Sequence, residues 1–166
     1  SSSVDSDSGA KKQQIFDKDD LYNWIPPDEF DLYFIGLQEC RSKTFADWQQ
    51  LFVDGINRKF DKGSRKGSQP YKVLTSISMW GIHGLIVVRE HLVKHFTHVH
   101  TDYRACGLGG VMGNKGAVGI SLQYGDGTTG SSTTFAFVNS HLAARCERLV
   151  QRSEDYAEIC RTLLSR

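Results

Sequence analysis

The sequence predicts an α/β layered domain. Three observations lead there: an apolar run at Asp31 to Leu37, several short runs rich in β-branched and aromatic residues between Tyr71 and Val138, and two segments in which apolar residues recur every three or four positions.

The run Asp31-Leu-Tyr-Phe-Ile-Gly-Leu37 follows a Pro26-Pro27 break and shows no polar alternation, which predicts a strand buried on both faces. From Phe45 to Phe60 the residues Phe45, Trp48, Leu51, Phe52 and Ile56 keep helical spacing, with Trp48 and Phe52 as core positions. The basic, Gly/Ser-rich stretch Gly63 to Pro70 then reads as a loop. Strands are expected at Tyr71 to Ile77, Ile82 to Val88, Val99 to Ala105, Ala117 to Tyr124 and Thr134 to Val138. Gly125-Asp126-Gly127 marks a hairpin or short loop, and helical spacing returns from Arg145 to Leu164 through Leu149, Tyr156, Ile159 and Leu163. Residues 1–14 lack apolar periodicity and read as a mobile leader, leaving 15–166 as the folded portion. No internal repeat is visible.

With 39% hydrophobic and 23% charged residues the chain falls among ordinary globular domains rather than disordered or fibrous ones. Its net charge of +1 supplies no global attraction to nucleic acid or an acidic membrane, so any preference for anions must be local. Cys40, Cys106, Cys146 and Cys160 are widely spaced, form no CxxC pair and follow no secretory signal, as expected of reduced thiols in a cytoplasmic protein. The best apolar run, Ile82 to Val88, is far shorter than the roughly 18 residues of a spanning helix.

Three constellations carry chemistry. In Gly36-Leu-Gln38-Glu39 a carboxylate closes a hydrophobic strand, where a rigid scaffold can aim it into a cleft; a magnesium ion uses about one or two such groups and keeps water and phosphate in the rest of its shell. A solvated or helix-capping Glu39 explains the same residues. The stretch Gly107 to Gly116 holds five glycines in ten residues and closes on Asn114-Lys115. Its backbone could approach a phosphate and its lysine could add a point charge, or it could be a structural hairpin. It lacks the Gly-Lys-Ser/Thr order of a nucleotide-binding P-loop. In Phe137-Val-Asn139-Ser140-His141-Leu142 an Asn and a His end a strand, suited to an oxyanion or a water, or to satisfying a buried carbonyl. Ser140 is not read as a nucleophile, because neighbours on a strand point to opposite faces. His83, His91, His95, His98 and His100 show no zinc-ligand spacing and read as surface or core residues.

Together these segments resemble the inositol polyphosphate 5-phosphatases, members of the DNase I-like endonuclease/exonuclease/phosphatase superfamily. The resemblance runs from about Leu21 to Leu164 and is carried by Asp31 to Glu39, by Gly109-Gly-Val-Met-Gly-Asn-Lys-Gly-Ala-Val118, by Phe137-Val-Asn-Ser-His-Leu-Ala-Ala144, and by Arg152 and Asp155-Tyr156. It implies a four-layer α/β/β/α sandwich and Mg²⁺-dependent hydrolysis of the 5-phosphate of an inositol phosphate or phosphoinositide. Glu39 would be the metal ligand, Asn114 and Lys115 would lie at the phosphate-binding face, and Asn139 and His141 would contact the scissile phosphate. The implied setting is cytoplasmic, or peripheral at a membrane when the substrate is a lipid. No nucleic acid partner is expected.

This sequence departs from the family pattern at Arg152-Ser153-Glu154-Asp155, where Arg-Asn usually precedes the Asp-Tyr pair. The family's opening Trp-Asn strand and its later Trp-x-Gly-Asp-x-Asn-Tyr-Arg and Asp-His segments have no counterpart in the 166 residues. The expectation is therefore an incomplete, N-terminal part of the catalytic domain, inactive alone, with the inner faces of Ile82 to Val88 and Ala117 to Tyr124 left exposed. The alternatives are a non-catalytic relative that binds phosphoinositides or protein, and a nuclease of the same superfamily. The Gly113-Asn-Lys-Gly116 and Ser140-His-Leu-Ala-Ala144 segments and the absence of a basic stripe weigh against the nuclease. The loop bearing Lys62, Arg65 and Lys66 is a weak candidate for anionic headgroups, and solvated surface charge is the commoner role for such a run.

Overall fold

The computed structural model describes residues 24–26, 29–40, 45–57, 69–107, 112, 114–125 and 130–165. The leader 1–14, the basic residues Lys62, Arg65 and Lys66, the centre of the glycine-rich stretch and the Asp126-Gly127 turn lie outside them.

Among the described residues the strands and longer helices follow in the order β1 (Leu32–Leu37), α1 (Phe45–Asn57), β2 (Tyr71–Met79), β3 (Ile82–Arg89), β4 (Phe96–Ala105), β5 (Gly116–Gly125), β6 (Ser132–His141) and α2 (Leu149–Thr162). Every strand expected from the sequence is present. The strands form two sheets of three, in the orders β1-β3-β2 and β4-β5-β6, and every pairing is antiparallel. The residues Gly125 and Ser132 face each other in register, so β5 and β6 form a hairpin around the connection.

The strand buried on both faces is β3, not β1. Ile82 to Val88 is buried throughout, whereas β1 is half-buried apart from the buried Ile35 and the exposed Gly36 and pairs only with β3 among the described residues. Both segments are apolar runs; their pairing partners decide which one sits at the centre of a sheet.

Alternation along β3 sends its side chains two ways. Leu85 and Val87 join Phe52 and Ile56 of α1, with Ile35 and Tyr71, in one cluster. Ile86 and Val88 join Ile120 and Leu122 of β5 in another. The two sheets therefore pack face to face, and Phe34 of β1 stacks on Phe137 of β6 with ring centroids 5.2 Å apart. Burying each such aliphatic side chain stabilises the fold by about 1.5–3 kcal/mol. On the other face of β5, Ala117 packs against Ile159 of α2 and Leu163 just after it. The runs Ile82 to Val88 and Ala117 to Tyr124, expected to expose an inner face, instead cover each other across the sheets.

Polar ties fix the connections. The Asn57 amide at the end of α1 brackets the first residue of β2: its Nδ2 donates to Tyr71 O at 2.9 Å and its Oδ1 accepts from Tyr71 N at 2.8 Å. The helix expected from Arg145 starts later, at Leu149, after a 3-10 turn at Cys146–Arg148. The Arg152 guanidinium fixes that turn by donating to Ala143 O at 3.0 Å and Arg145 O at 2.5 Å. Among the described residues no helix is long and apolar enough to cross a membrane.

Candidate active site

The register brings the end of β1, the starts of β3 and β5 and the end of β6 to one edge of the paired sheets: Leu37 faces His83 within the first sheet, and Gly116 faces His141 within the second. All five residues singled out by sequence lie at this edge.

Asn139 sits between the sheets, 8% exposed. Its Nδ2 donates to Leu37 O of β1 and to His83 O of β3, both at 2.8 Å, and its Oδ1 accepts from Gln38 Nε2 at 3.1 Å. Both N–H donors of the amide are engaged, and it joins the two sheets under the site. The space exists because residue 36 is glycine, since a Cβ there would stand 2.9 Å from Asn139 Cγ.

Gln38 carries this order outward. Its Nε2 also donates to Ser140 O at 2.6 Å, and its Oε1 lies 3.3 Å from His141 Nδ1. On the other side of the ring Lys115 Nζ stands 2.6 Å from His141 Nε2. An ammonium can only donate, so Nε2 accepts and the ring proton sits on Nδ1, where it meets Gln38 Oε1. Lys115 is pinned through its backbone, its carbonyl accepting from Cys106 N at 2.8 Å. The next residue, Gly116, has φ +138°, and a Cβ there would come within 2.0 Å of Arg104 O. Only glycine lets β5 begin so close to β4.

Glu39 follows with φ 53°, in the left-handed region, and its side chain is 77% exposed. One carboxylate oxygen lies 3.4 Å from His141 Nε2. Glu39, Trp80, Gly81, Ile82, Asn114, Lys115 and His141 line one cleft of about 540 Å³. Trp80 is also left-handed at φ 52°, at the first central position of the two-residue turn that joins Met79 to Ile82.

An adjoining pocket of about 430 Å³ shares Asn114 and Lys115 and extends past Ala143, Arg145, Arg148 and Asp155. Asp155 is buried there, and its Oδ2 has no hydrogen-bond partner among the described residues. Burial and this carboxylate raise the pKa of the neighbouring Cys106 thiol.

The other histidines stand apart from the cleft. His83 is buried, with Nδ1 2.6 Å from Ser78 Oγ, and His95 Nδ1 is 3.2 Å from Gly125 O; His91, His98 and His100 are exposed. Sequence reasoning did not single out Gln38 or Trp80. Gln38 was signalled only by its place beside Glu39, and Trp80 by nothing beyond the Trp-Gly turn between two strands.

The chain matches the model of the Endonuclease/Exonuclease/phosphatase family 2 over residues 10–166, and it belongs to that family. It is 29% identical over 147 residues to a phosphatidylinositol 3,4,5-trisphosphate 5-phosphatase 1 of Xenopus laevis, a match covering 89% of this chain and 13% of the relative. To a phosphatidylinositol 4,5-bisphosphate 5-phosphatase of Saccharomyces cerevisiae it is 34% identical over 163 residues, covering 88% of this chain and 16% of the relative. Its fold is similar to a crystal structure of the inositol polyphosphate 5-phosphatase domain of SPsynaptojanin in complex with inositol (1,4)-bisphosphate and calcium ion. That match has a TM-score of 0.70 and 28% identity, and covers 86% of this chain and 41% of the solved one. The chain thus spans under a fifth of these relatives' length and under half of that domain.

Proposed function

We propose that this chain forms part of the catalytic domain of a Mg²⁺-dependent phosphatase that removes the 5-phosphate from an inositol polyphosphate or a phosphoinositide. The observation that carries this reading is the convergence of Glu39, Lys115 and His141, from three separate strand-end motifs, on one cleft. The relatives named above support the substrate class. The complete domain would be the four-layer α/β/β/α sandwich, of which α1 on the first sheet and α2 on the second would be the outer layers.

The donor set fits magnesium. Glu39 offers an exposed carboxylate on the cleft wall, and an ion of this kind takes about one or two carboxylates, with water and substrate phosphate completing its shell. Once bound, the metal would polarise a phosphoryl oxygen and neutralise developing charge.

The remaining work falls to the chain's own groups. Lys115 turns its ammonium from His141 to the incoming phosphate, and Asn114 borders the same space. His141, with Nδ1–H held by Gln38, then directs Nε2 at a phosphoryl oxygen, where it accepts the proton of a monoprotonated phosphate. Asn139 acts through Gln38 and the backbone of β1, keeping that ring in place rather than reaching the phosphate itself. In phosphoryl transfer such positioning and charge neutralisation supply most of the catalysis.

The test is release of inorganic phosphate by the full-length protein from inositol phosphates that differ only in whether they carry a 5-phosphate, with and without Mg²⁺. Turnover confined to the 5-phosphorylated compound in Mg²⁺ is expected. Equal hydrolysis of both compounds, or cleavage of a phosphodiester in nucleic acid instead, would contradict the reading.

A further inference from the structure

The geometry points to His83 as a positioning residue for Glu39, acting through the backbone of Cys40. This inference rests on the metal-dependent hydrolytic reading above and names what holds that carboxylate in place.

Glu39 takes φ 53°, a left-handed backbone that persists at a non-glycine residue only where its surroundings impose it. On the side before it, Leu37 O accepts from Asn139 Nδ2, and the Gln38 amide is held by Asn139 and Ser140 of β6. On the side after it stands Cys40, and both polar backbone atoms of Cys40 meet the β2–β3 hairpin. Cys40 N donates to Gly81 O at 3.2 Å, and Cys40 O lies 3.4 Å from His83 Nε2. Gly81 lies against the same stretch, since a Cβ on it would stand 3.5 Å from Cys40 N and from Cys40 O and 3.6 Å from Glu39 Cα.

The contacts place the ring proton. A carbonyl only accepts, so Nε2 carries the N–H that meets Cys40 O, and Nδ1 accepts from the Ser78 hydroxyl 2.6 Å away. His83 is 5% exposed, in a run from Ile82 to Val88 whose other side chains are aliphatic apart from Gly84. A buried imidazole there is unfavourable unless its nitrogens are satisfied, and Ser78 and Cys40 satisfy them. The carbonyl of His83 accepts from Asn139 Nδ2 at 2.8 Å. One buried residue therefore joins the Asn139 amide, through its main chain, to the backbone that aims Glu39, through its side chain. A ligand whose backbone is fixed in advance has less freedom to lose when a cation binds, so the donor at Nε2 should appear in metal affinity.

The experiment titrates the full-length protein with Mn²⁺ in the absence of substrate, following the free ion by electron paramagnetic resonance, so that binding is read without turnover. Four variants are compared with the wild type. His83→Leu removes both ring nitrogens, His83→Gln keeps an N–H for Cys40 O, Ser78→Ala frees the tautomer while leaving the core filled, and Glu39→Gln removes the carboxylate. His83→Leu should bind Mn²⁺ about tenfold more weakly, the low end of the range for groups that orient a metal ligand, and His83→Gln should stay within about threefold of wild type. Ser78→Ala should fall between wild type and His83→Leu, and it decides the matter if His83→Leu does not fold. The Mg²⁺ needed for half-maximal phosphate release should follow the same order. Wild-type Mn²⁺ binding in both His83→Leu and Ser78→Ala would overturn the inference. So would an equal loss in His83→Gln and His83→Leu, which would make the shape of the ring, and not its donor, what matters. Unchanged binding in Glu39→Gln would refute the metal site itself, and this inference with it.

Discussion

Lys115 Nζ lies 2.6 Å from His141 Nε2, across two neighbouring strands, and this contact sets the tautomer of the ring. With Nε2 accepting, the proton on Nδ1 is directed to Gln38 Oε1, 3.3 Å away. Replacing His141 with Ala should therefore lower kcat more than it raises KM, because a contact that strengthens in the transition state acts on kcat. Lys115→Ala should change KM as well, since the ground-state phosphate already carries the charge it meets. Steady-state kinetics of the two variants separates these effects, and an unchanged kcat in His141→Ala would remove the ring from the chemistry.

Gln38 is a positioning residue, and its two ends do different things. Gln38→Glu keeps an acceptor for Nδ1–H but loses the donor to Asn139 and Ser140; Gln38→Leu loses both. The expected order of kcat is wild type, then Glu, then Leu, with Leu down about tenfold or more, less than the 10²–10⁴ of a proton-transfer group itself because Gln38 acts through His141. The pH–rate profile should also shift between Glu and Leu. Identical profiles and rates in both would mean that Gln38 merely fills space.

Asn139 should matter for stability as much as for catalysis. In Asn139→Leu the carbonyls of Leu37 and His83 lose their donor inside the fold, which should cost at least about 2 kcal/mol. Gly36→Ala, pressing a methyl group against the same side chain, should cost about 1–3 kcal/mol. Because both changes disturb one contact, the double variant should depart from additivity by more than about 0.5 kcal/mol. Denaturant unfolding of the three variants measures this, and strict additivity would contradict the described packing.

Cys106 should be the slow thiol among the four. Burial first, and then the Asp155 carboxylate, raise its pKa above the usual 9.0, so near neutral pH it holds its proton more firmly than an ordinary cysteine. Since the thiolate is the reactive form, mass-spectrometric alkylation should label the exposed Cys146 and Cys160 well before Cys106. As pH rises the lag should narrow only once it approaches that raised value. Early modification of Cys106 would show that the pocket beside Asp155 is more open than its burial indicates.

Much of this arrangement is legible in the sequence because it depends on local pattern. Strand runs, the Phe52–Ile56 face of α1 and the three motifs that end at Glu39, Lys115 and His141 need no knowledge of partners. What depends on pairing is not legible. The runs of β1 and β3 are comparably apolar, and only the order β1-β3-β2 makes Ile82 to Val88 the central strand. Nor could the motifs reveal that Asn139 turns inward, since that depends on a missing Cβ at Gly36, more than a hundred positions earlier, whose relation to it exists only across the two sheets. Gln38 escaped for the same reason, because its partners Asn139, Ser140 and His141 all lie on β6.

The most direct measurement is Mg²⁺-dependent phosphate release from a 5-phosphorylated inositol phosphate by the full-length protein and its Glu39→Gln variant across a Mg²⁺ titration. If Glu39 holds the metal in the cleft it shares with Lys115 and His141, the variant should lose at least about a hundredfold in kcat, the scale of removing a charge-stabilising group, and need more Mg²⁺ for half-maximal rate. Activity within about threefold of wild type at the same Mg²⁺ requirement would contradict it, because a lost metal ligand cannot leave both quantities unchanged.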